Sequence, residues 1–197
     1  WEGAPYWNKR YYGNTARVLM ELNMAFSSQF EDFTGVNLIF PEVYGPNGRF
    51  NPRRNNIVES VITNVKAAKE KDVDLPVRGS IKSSRDFLYI DDAISAIYHA
   101  IQFADEPDTY NVSQGYDINI KSLHEVVADI VGYEKEVLWV EQSLDIKERS
   151  FLNISHINKN LGWTPKVDLE EGLKKTIAWH DQNMKVEFIS PDSIMVR

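Results

Sequence analysis

The chain has 197 residues, a hydrophobic share of 43%, a charged share of 26% and a net charge of -7. That length supports one sizeable domain or two small ones, and the acidity opposes non-specific nucleic-acid binding, which needs a positive field. The absence of cysteine excludes disulfides, thiolate metal sites and thiol nucleophiles, and fits a cytoplasmic setting.

In chain order, Leu19, Leu22, Phe26 and Phe30 recur at three- and four-residue intervals and predict an amphipathic helix over 12–30. "GVNLIF" (35–40) reads as a buried strand, ended by Pro41 and the turn-rich "PEVYGPNGRFNP". Ile57, Val61, Ile62 and Val65 form a second helical stripe running into "KAAKEKD". "DFLYI" (86–90) predicts a strand, and Asp91 or Asp92 is placed to cap a helix carrying Ile94, Ile97, Tyr98 and Ile101. "TYNVSQ" (109–114) and "EVLWVE" (136–141) read as strands. Between them, Ser122 and Glu125 have capping-box spacing ahead of a helix closed by Gly132. Ser155 opens a short helix that stops at Gly162, and Asp168 with Glu171 boxes the last one. The stretch from Met184 fits a strand or a tail. Alternating strands and helices place the chain in the α/β class.

Other signals are negative. No apolar run reaches membrane-spanning length and no signal peptide opens the chain, so no membrane partner is expected. The first residue is Trp1 rather than methionine, which is read as a sign of a longer or trimmed product. None of the ten glycines forms a Gly-x-Gly-x-x-Gly or Gly-x-x-Gly-x-x-Gly fingerprint or a Walker loop, so the backbone cradle for a pyrophosphate is missing. His99, His124, His156 and His180 show no paired metal-ligand spacing, and no metal site is expected. Trp139, Trp163 and Trp179 fall in strand and helix patterns and read as packing residues.

Several stretches together resemble the extended short-chain dehydrogenase/reductase family, the nicotinamide-dependent nucleotide-sugar epimerases, dehydratases and reductases, in its GDP-fucose-synthase branch. "WEGAP" (1–5) followed by Tyr12-Gly13 looks like the approach to that family's tyrosine helix. "PEVYGP" (41–46) looks like its Pro-x-Asn-x-Tyr-Gly-Pro loop with one residue fewer. "RDFLYIDD" (85–92) closely matches its Arg-(Glu/Asp)-Phe-Leu-Tyr-Val-Asp-Asp segment, and "LGWTPKVDLEEGLKKTIAWH" (161–180) looks like its ending. The similarity corresponds to the family's second half. It implies a Rossmann-type fold with a small α/β substrate-binding domain, and NAD or NADP as cofactor, held mostly by the first half. On this resemblance, residues 1–50 are expected to be a remnant of the Rossmann domain and 51–197 mainly the substrate lobe, with 85–114 returning to the Rossmann sheet.

The resemblance makes Tyr12 the proton-exchanging phenol. The lysine that the family carries four residues later, where it shares the helix face and lowers the phenol pKa, is Ala16 here. Arg17 lies one place too far, rotated by roughly 140° at about 3.6 residues per turn. Tyr6 with Arg10 has the right spacing but lies in a segment with little helical pattern. Pro41 and Glu42 fall at the loop that lies near the nicotinamide and sugar, Glu42 replacing the usual asparagine. Asn56 falls where the branch carries a histidine acid and has no proton to give. Glu42 is a substitute acid or base if burial raises its pKa.

For the ligand, the resemblance gives Arg85 contact with the nucleotide diphosphate, a role its fork of donors suits. Arg149 resembles a second arginine near the nucleotide, and Arg78 stands where a tryptophan often sits. Surface ion pairs are the alternative for these two. "NGRFNPRR" (47–54) reads as a solvated loop. Two functions stay open. One is an NDP-sugar epimerase, dehydratase or reductase relative, with a GDP-sugar favoured. The other is a non-catalytic binding or assembly module that forms a homodimer or pairs with a cofactor-binding half through the tyrosine helix.

Overall fold

The computed structural model describes residues 10–50, 56–141 and 149–184, with side chains from residue 13 onward. Tyr6, Arg53, Arg54 and the stretch beyond Met184 lie outside the described residues.

Helix α1 (Arg10–Gln29) leads into β1 (Val36–Ile39) and β2 (Glu42–Tyr44), followed by α2 (Ile57–Lys71) and β3 (Leu75–Gly79). Then come β4 (Ser84–Arg85), β5 (Phe87–Tyr89), α3 (Ile90–Phe103) and β6 (Asp108–Asn111). The rest is β7 (Ile118–Asn119), α4 (Ile120–Val131), β8 (Val137–Glu141), β9 (Arg149–Ser150), α5 (Ser155–Leu161) and α6 (Leu169–Asn183). The α/β expectation holds. Strands β2, β3, β4, β7 and β9 are additions: β2 hides in a turn-rich context, β3 carries Pro76 and Gly79, which weaken any strand pattern, and the other three are two residues long, too short for a periodic signal.

Two caps differ from expectation. Neither Asp91 nor Asp92 caps α3; Tyr89 is its N-cap, and the Asp92 carboxylate instead accepts from the amides of Lys166 (3.0 Å) and Val167 (2.9 Å). Helix α4 starts earlier than the Ser122 box, because Asn119 accepts the Lys121 amide at 2.8 Å. Asp168 does cap α6, accepting from the Glu171 amide.

Three parallel ladders, β1–β6, β2–β5 and β3–β8, accompany a three-stranded group in which β4 lies between β7 (antiparallel) and β9 (parallel). Alternation along β5 explains how these parts join. Phe87 and Tyr89 enter one apolar cluster with Val61, Val65, Leu123 and Leu173, while Leu88 enters the other with Ala96, Val112, Ile157 and Trp163. A strand buried on both faces reads as a continuous apolar run.

The apolar stripe of α1 takes no part in either cluster. Leu19, Leu22, Phe26 and Phe30 are exposed, while the polar side of α1 meets β1 through Asn23–Asn37 (3.0 Å) and the Gly35 amide on Ser27 (2.8 Å). Gly35 permits this approach, since a Cβ there would stand 2.5 Å from Ser27 Oγ.

The Asp92 clamp generates a prediction. Asp92→Ala leaves two amides unpaired and is expected to lower stability by roughly 2–4 kcal/mol, read as a reduced urea midpoint at unchanged slope. An unchanged midpoint would show that the clamp carries no weight.

Candidate substrate site

Arg85 closes β4 immediately before the doubly buried strand, so its backbone position follows from the core. It is half-buried, and Nη1 donates to the Ser84 carbonyl at 2.7 Å. Burial pulls its pKa down, and the Glu42 carboxylate pushes it back up. Glu42 is brought there by β2, which runs parallel to β5 with Glu42 opposite Phe87, and by its own amide bonding to the Asp86 carbonyl at 3.3 Å. Asp86 is itself buried and accepts from the amides of Gln114 and Leu152, both at 3.2 Å, which ties the segment after β6 and the approach to α5 to the strand bearing Arg85.

Beyond β2 the chain turns at Tyr44-Gly45-Pro46. Gly45 has φ 155°, and a Cβ there would meet Ile90 Cγ2 at 2.4 Å. Tyr44 is buried with its ring edge-on to Tyr89 at 5.7 Å, and its hydroxyl reaches the Leu169 carbonyl at 3.4 Å. Burial, reinforced by Tyr89, raises its pKa far above the usual phenol range, so Tyr44 is a packing phenol. The following loop folds down on α2 and α6: Phe50 stacks on Trp179 at 5.9 Å and meets His180 edge-on at 4.7 Å.

Under that loop lies Glu59, in the first turn of α2 and 1% exposed. A Cβ on Gly48 would stand 2.6 Å from Glu59 Oε1, so the loop closes directly over the carboxyl. Oε2 has no hydrogen-bond partner among the described residues. Burial raises the Glu59 pKa to about 7, helped by the neighbouring Glu42, against lowering by its own backbone amide and the Asn56 side-chain amide. Sequence reasoning picked Glu42 for this behaviour and missed Glu59. Its signal was the Asn56-x-x-Glu59 spacing of a capping box.

The other expected residues are placed as follows. Asn56 is the exposed N-cap of α2, without a side-chain cap bond. Pro41 is half-buried between β1 and β2. Arg149 starts β9, with Ser150 opposite Arg85, and grips Asp117 with two bonds, Nε–Oδ2 at 2.9 Å and Nη2–Oδ1 at 2.6 Å. Its guanidinium also lies over the Phe151 ring at 5.2 Å. Asp117 accepts the Ser84 hydroxyl too, and Arg149 with Ser84 holds its pKa well below the usual carboxylate range. Arg78 is exposed on the separate β3–β8 ladder, opposite Val140. Tyr12 lies in the first turn of α1 with its side chain outside the described residues, one turn before Ala16. Strand pairing therefore brings Glu42 near Arg85, and the loop brings Glu59 and Asn56 to the same region. Arg149 lies opposite Ser84 and shares Asp117 with it on the other face of β4, and Arg78 belongs to another ladder.

Among the described residues no cluster of three His, Asp or Glu side chains could hold a metal, and no helix is long and apolar enough to cross a membrane. A pocket lined by Lys66, Lys69, Ile130, Ile177 and Asp181 lies at the opposite end of α2 from Glu59.

Parallel strand ladders flanked by helices define a Rossmann-type α/β protein. The chain belongs to the NAD dependent epimerase/dehydratase family, whose model matches residues 2–113. It is 30% identical to the putative GDP-L-fucose synthase 2 of Arabidopsis thaliana over 72% of this chain and 43% of that protein. It is 28% identical to the GDP-L-fucose synthase of Escherichia coli over 72% of this chain and 47% of that one. Among solved structures, a GDP-L-fucose synthetase from Naegleria fowleri superposes with a TM-score of 0.80 at 18% identity, covering 92% of this chain and 57% of that one. A UDP-glucose 4-epimerase from Thermotoga maritima, solved with UDP-glucose, superposes at 0.68 with 25% identity, covering 82% and 50%. The chain thus spans about half the length of the curated relatives it matches.

Glu59 makes stability depend on pH. Its native pKa of about 7 exceeds the ordinary 4.5, so the native state binds the proton more tightly and stability falls as pH rises through that window. Relative to Glu59→Gln, the wild type is expected to lose up to about 3 kcal/mol between acid and mildly alkaline pH. Parallel melting curves of the two proteins across pH would contradict the burial argument.

Proposed function

We propose that this chain is the substrate-binding portion of a nucleotide-sugar epimerase, dehydratase or reductase, with a GDP-sugar as ligand. The observation that carries the reading is Arg85, half-buried at the end of β4 beside the Glu42 carboxylate. A half-buried guanidinium suits the planar, bidentate recognition of a diphosphate. Arg149 joins by exchanging Asp117 for a phosphate oxygen, an exchange its exposure permits. Asn56 contributes amide donors from the N-terminus of α2, whose dipole favours an anion. Arg78, on the separate β3–β8 ladder, is left outside this proposed grip. We read residues 1–50 and 85–114 as belonging to the cofactor sheet, a division supported by the β1–β6 pairing, and the remainder of 51–197 as the substrate lobe.

Tyr12 is the proton-exchanging group of this reading, with Pro41 and Glu42 at the edge of the NAD or NADP site. The residues present do not make a dinucleotide site by themselves: the glycine fingerprint is absent, and Ala16 stands where the ribose-holding lysine belongs. The exposed face of Leu19, Leu22, Phe26 and Phe30 supports a homodimer formed through α1. A binding module without turnover is the second reading, and the alanine at position 16 favours it.

Calorimetry separates the possibilities. GDP-sugars are expected to bind more tightly than UDP-sugars, and Arg85→Ala to weaken binding roughly tenfold or more. Equal affinities for the two proteins would discard the diphosphate grip. In a catalytically competent chain, Ala16→Lys is expected to raise reductase or epimerase turnover; an unchanged rate would favour the binding module.

A further inference from the structure

Among the described residues, Glu59 is the one buried carboxyl of this region that the reading above leaves without a task. The two aspartates nearby serve the backbone: Asp86 takes two amides and Asp92 two others. Glu59 is 1% exposed, covered by the loop at Gly48, and leaves Oε2 unpaired among the described residues. A buried carboxylate with an unpaired oxygen is unfavourable, and the same group carrying a proton is far less so.

We propose that Glu59 is a positioning residue of the substrate site, a carboxyl that takes up a proton when a diphosphate-bearing ligand binds and thereby turns the Asn56 amide toward that ligand. The inference rests on the sugar-nucleotide reading. Ionised, Glu59 accepts from the Asn56 amide nitrogen and holds it inward. Protonated, Glu59 donates to the Asn56 carbonyl oxygen, and both amide N–H donors face outward from the N-terminus of α2. The proton comes from solvent and returns to it on release, so the cycle balances without a co-reactant.

The charges around the group favour this coupling. Among the described residues the charged side chain acting on Glu59 is Glu42 of β2, itself an electrostatic neighbour of Arg85. From α4 and β3, which also pack on α2, Val127, Leu75 and Val77 share its apolar core. A diphosphate drawn to Arg85 adds negative charge near Glu59 and shifts it toward its protonated form. Burial already places its pKa at about 7.

The test is calorimetry of GDP binding to the full chain at pH 7, repeated in buffers of different ionisation enthalpy to count protons. The wild type is expected to take up to about half a proton per GDP bound, and Glu59→Gln none from this source. Equal proton counts in the two proteins overturn the proposal while leaving nucleotide binding in place. Absence of GDP binding to either protein removes the sugar-nucleotide reading and this inference with it. Should Glu59→Gln fail to fold, the infrared carbonyl band of a protonated carboxylic acid is followed in the wild type alone. Gain of that band on adding GDP supports the proposal, and an unchanged band overturns it.

Discussion

Everything in this molecule converges on a three-residue strand whose two faces lie in different cores. Phe87 and Tyr89 look into one apolar cluster and Leu88 into the other, so neither core forms without β5 in register. At each end of that strand a buried aspartate reaches across the chain for backbone amides more than twenty residues away, Asp86 at Gln114 and Leu152, Asp92 at Lys166 and Val167. Charge-assisted bonds of this kind hold a segment in one register where apolar packing alone would tolerate slippage. Arg85 stands next to this fixture and inherits its rigidity. A ligand group bound there would meet a donor whose position is set before binding.

The regular helices were legible because their apolar periodicity is long and their caps are local. Asp168 and Glu171, Gly132 and Gly162 do what their residue types suggest. Long-range carboxylate bonds were not legible. Asp92 precedes an apolar helical run and looks like a cap, yet its partners lie seventy-four and seventy-five residues on, and no local pattern announces them. The same holds for α1. Its apolar stripe has the spacing of a buried face, but in this chain the polar Asn23 and Ser27 side packs inward. Periodicity tells which residues share a face and leaves open what covers it.

At the candidate site, the sequence motif drew attention to Arg85, whereas the buried carboxyl left no such local mark. Glu42 drew attention because it replaces an asparagine in a recognisable loop. In the folded chain it acts on Arg85, and the buried carboxyl of the region is Glu59. The burial that raises the Glu59 pKa depends on the loop that closes at Gly48, a tertiary contact set by Phe50 against Trp179 and His180. The likeness to GDP-L-fucose synthases is a likeness of fold and family.

The most direct measurement is a crystal structure of the chain with a GDP-sugar bound. The account predicts diphosphate oxygens within hydrogen-bonding distance of the Arg85 guanidinium, at the N-terminal end of α2. A nucleotide seated on the β3–β8 ladder, or in the pocket between Lys66 and Asp181, with Arg85 untouched, would contradict it.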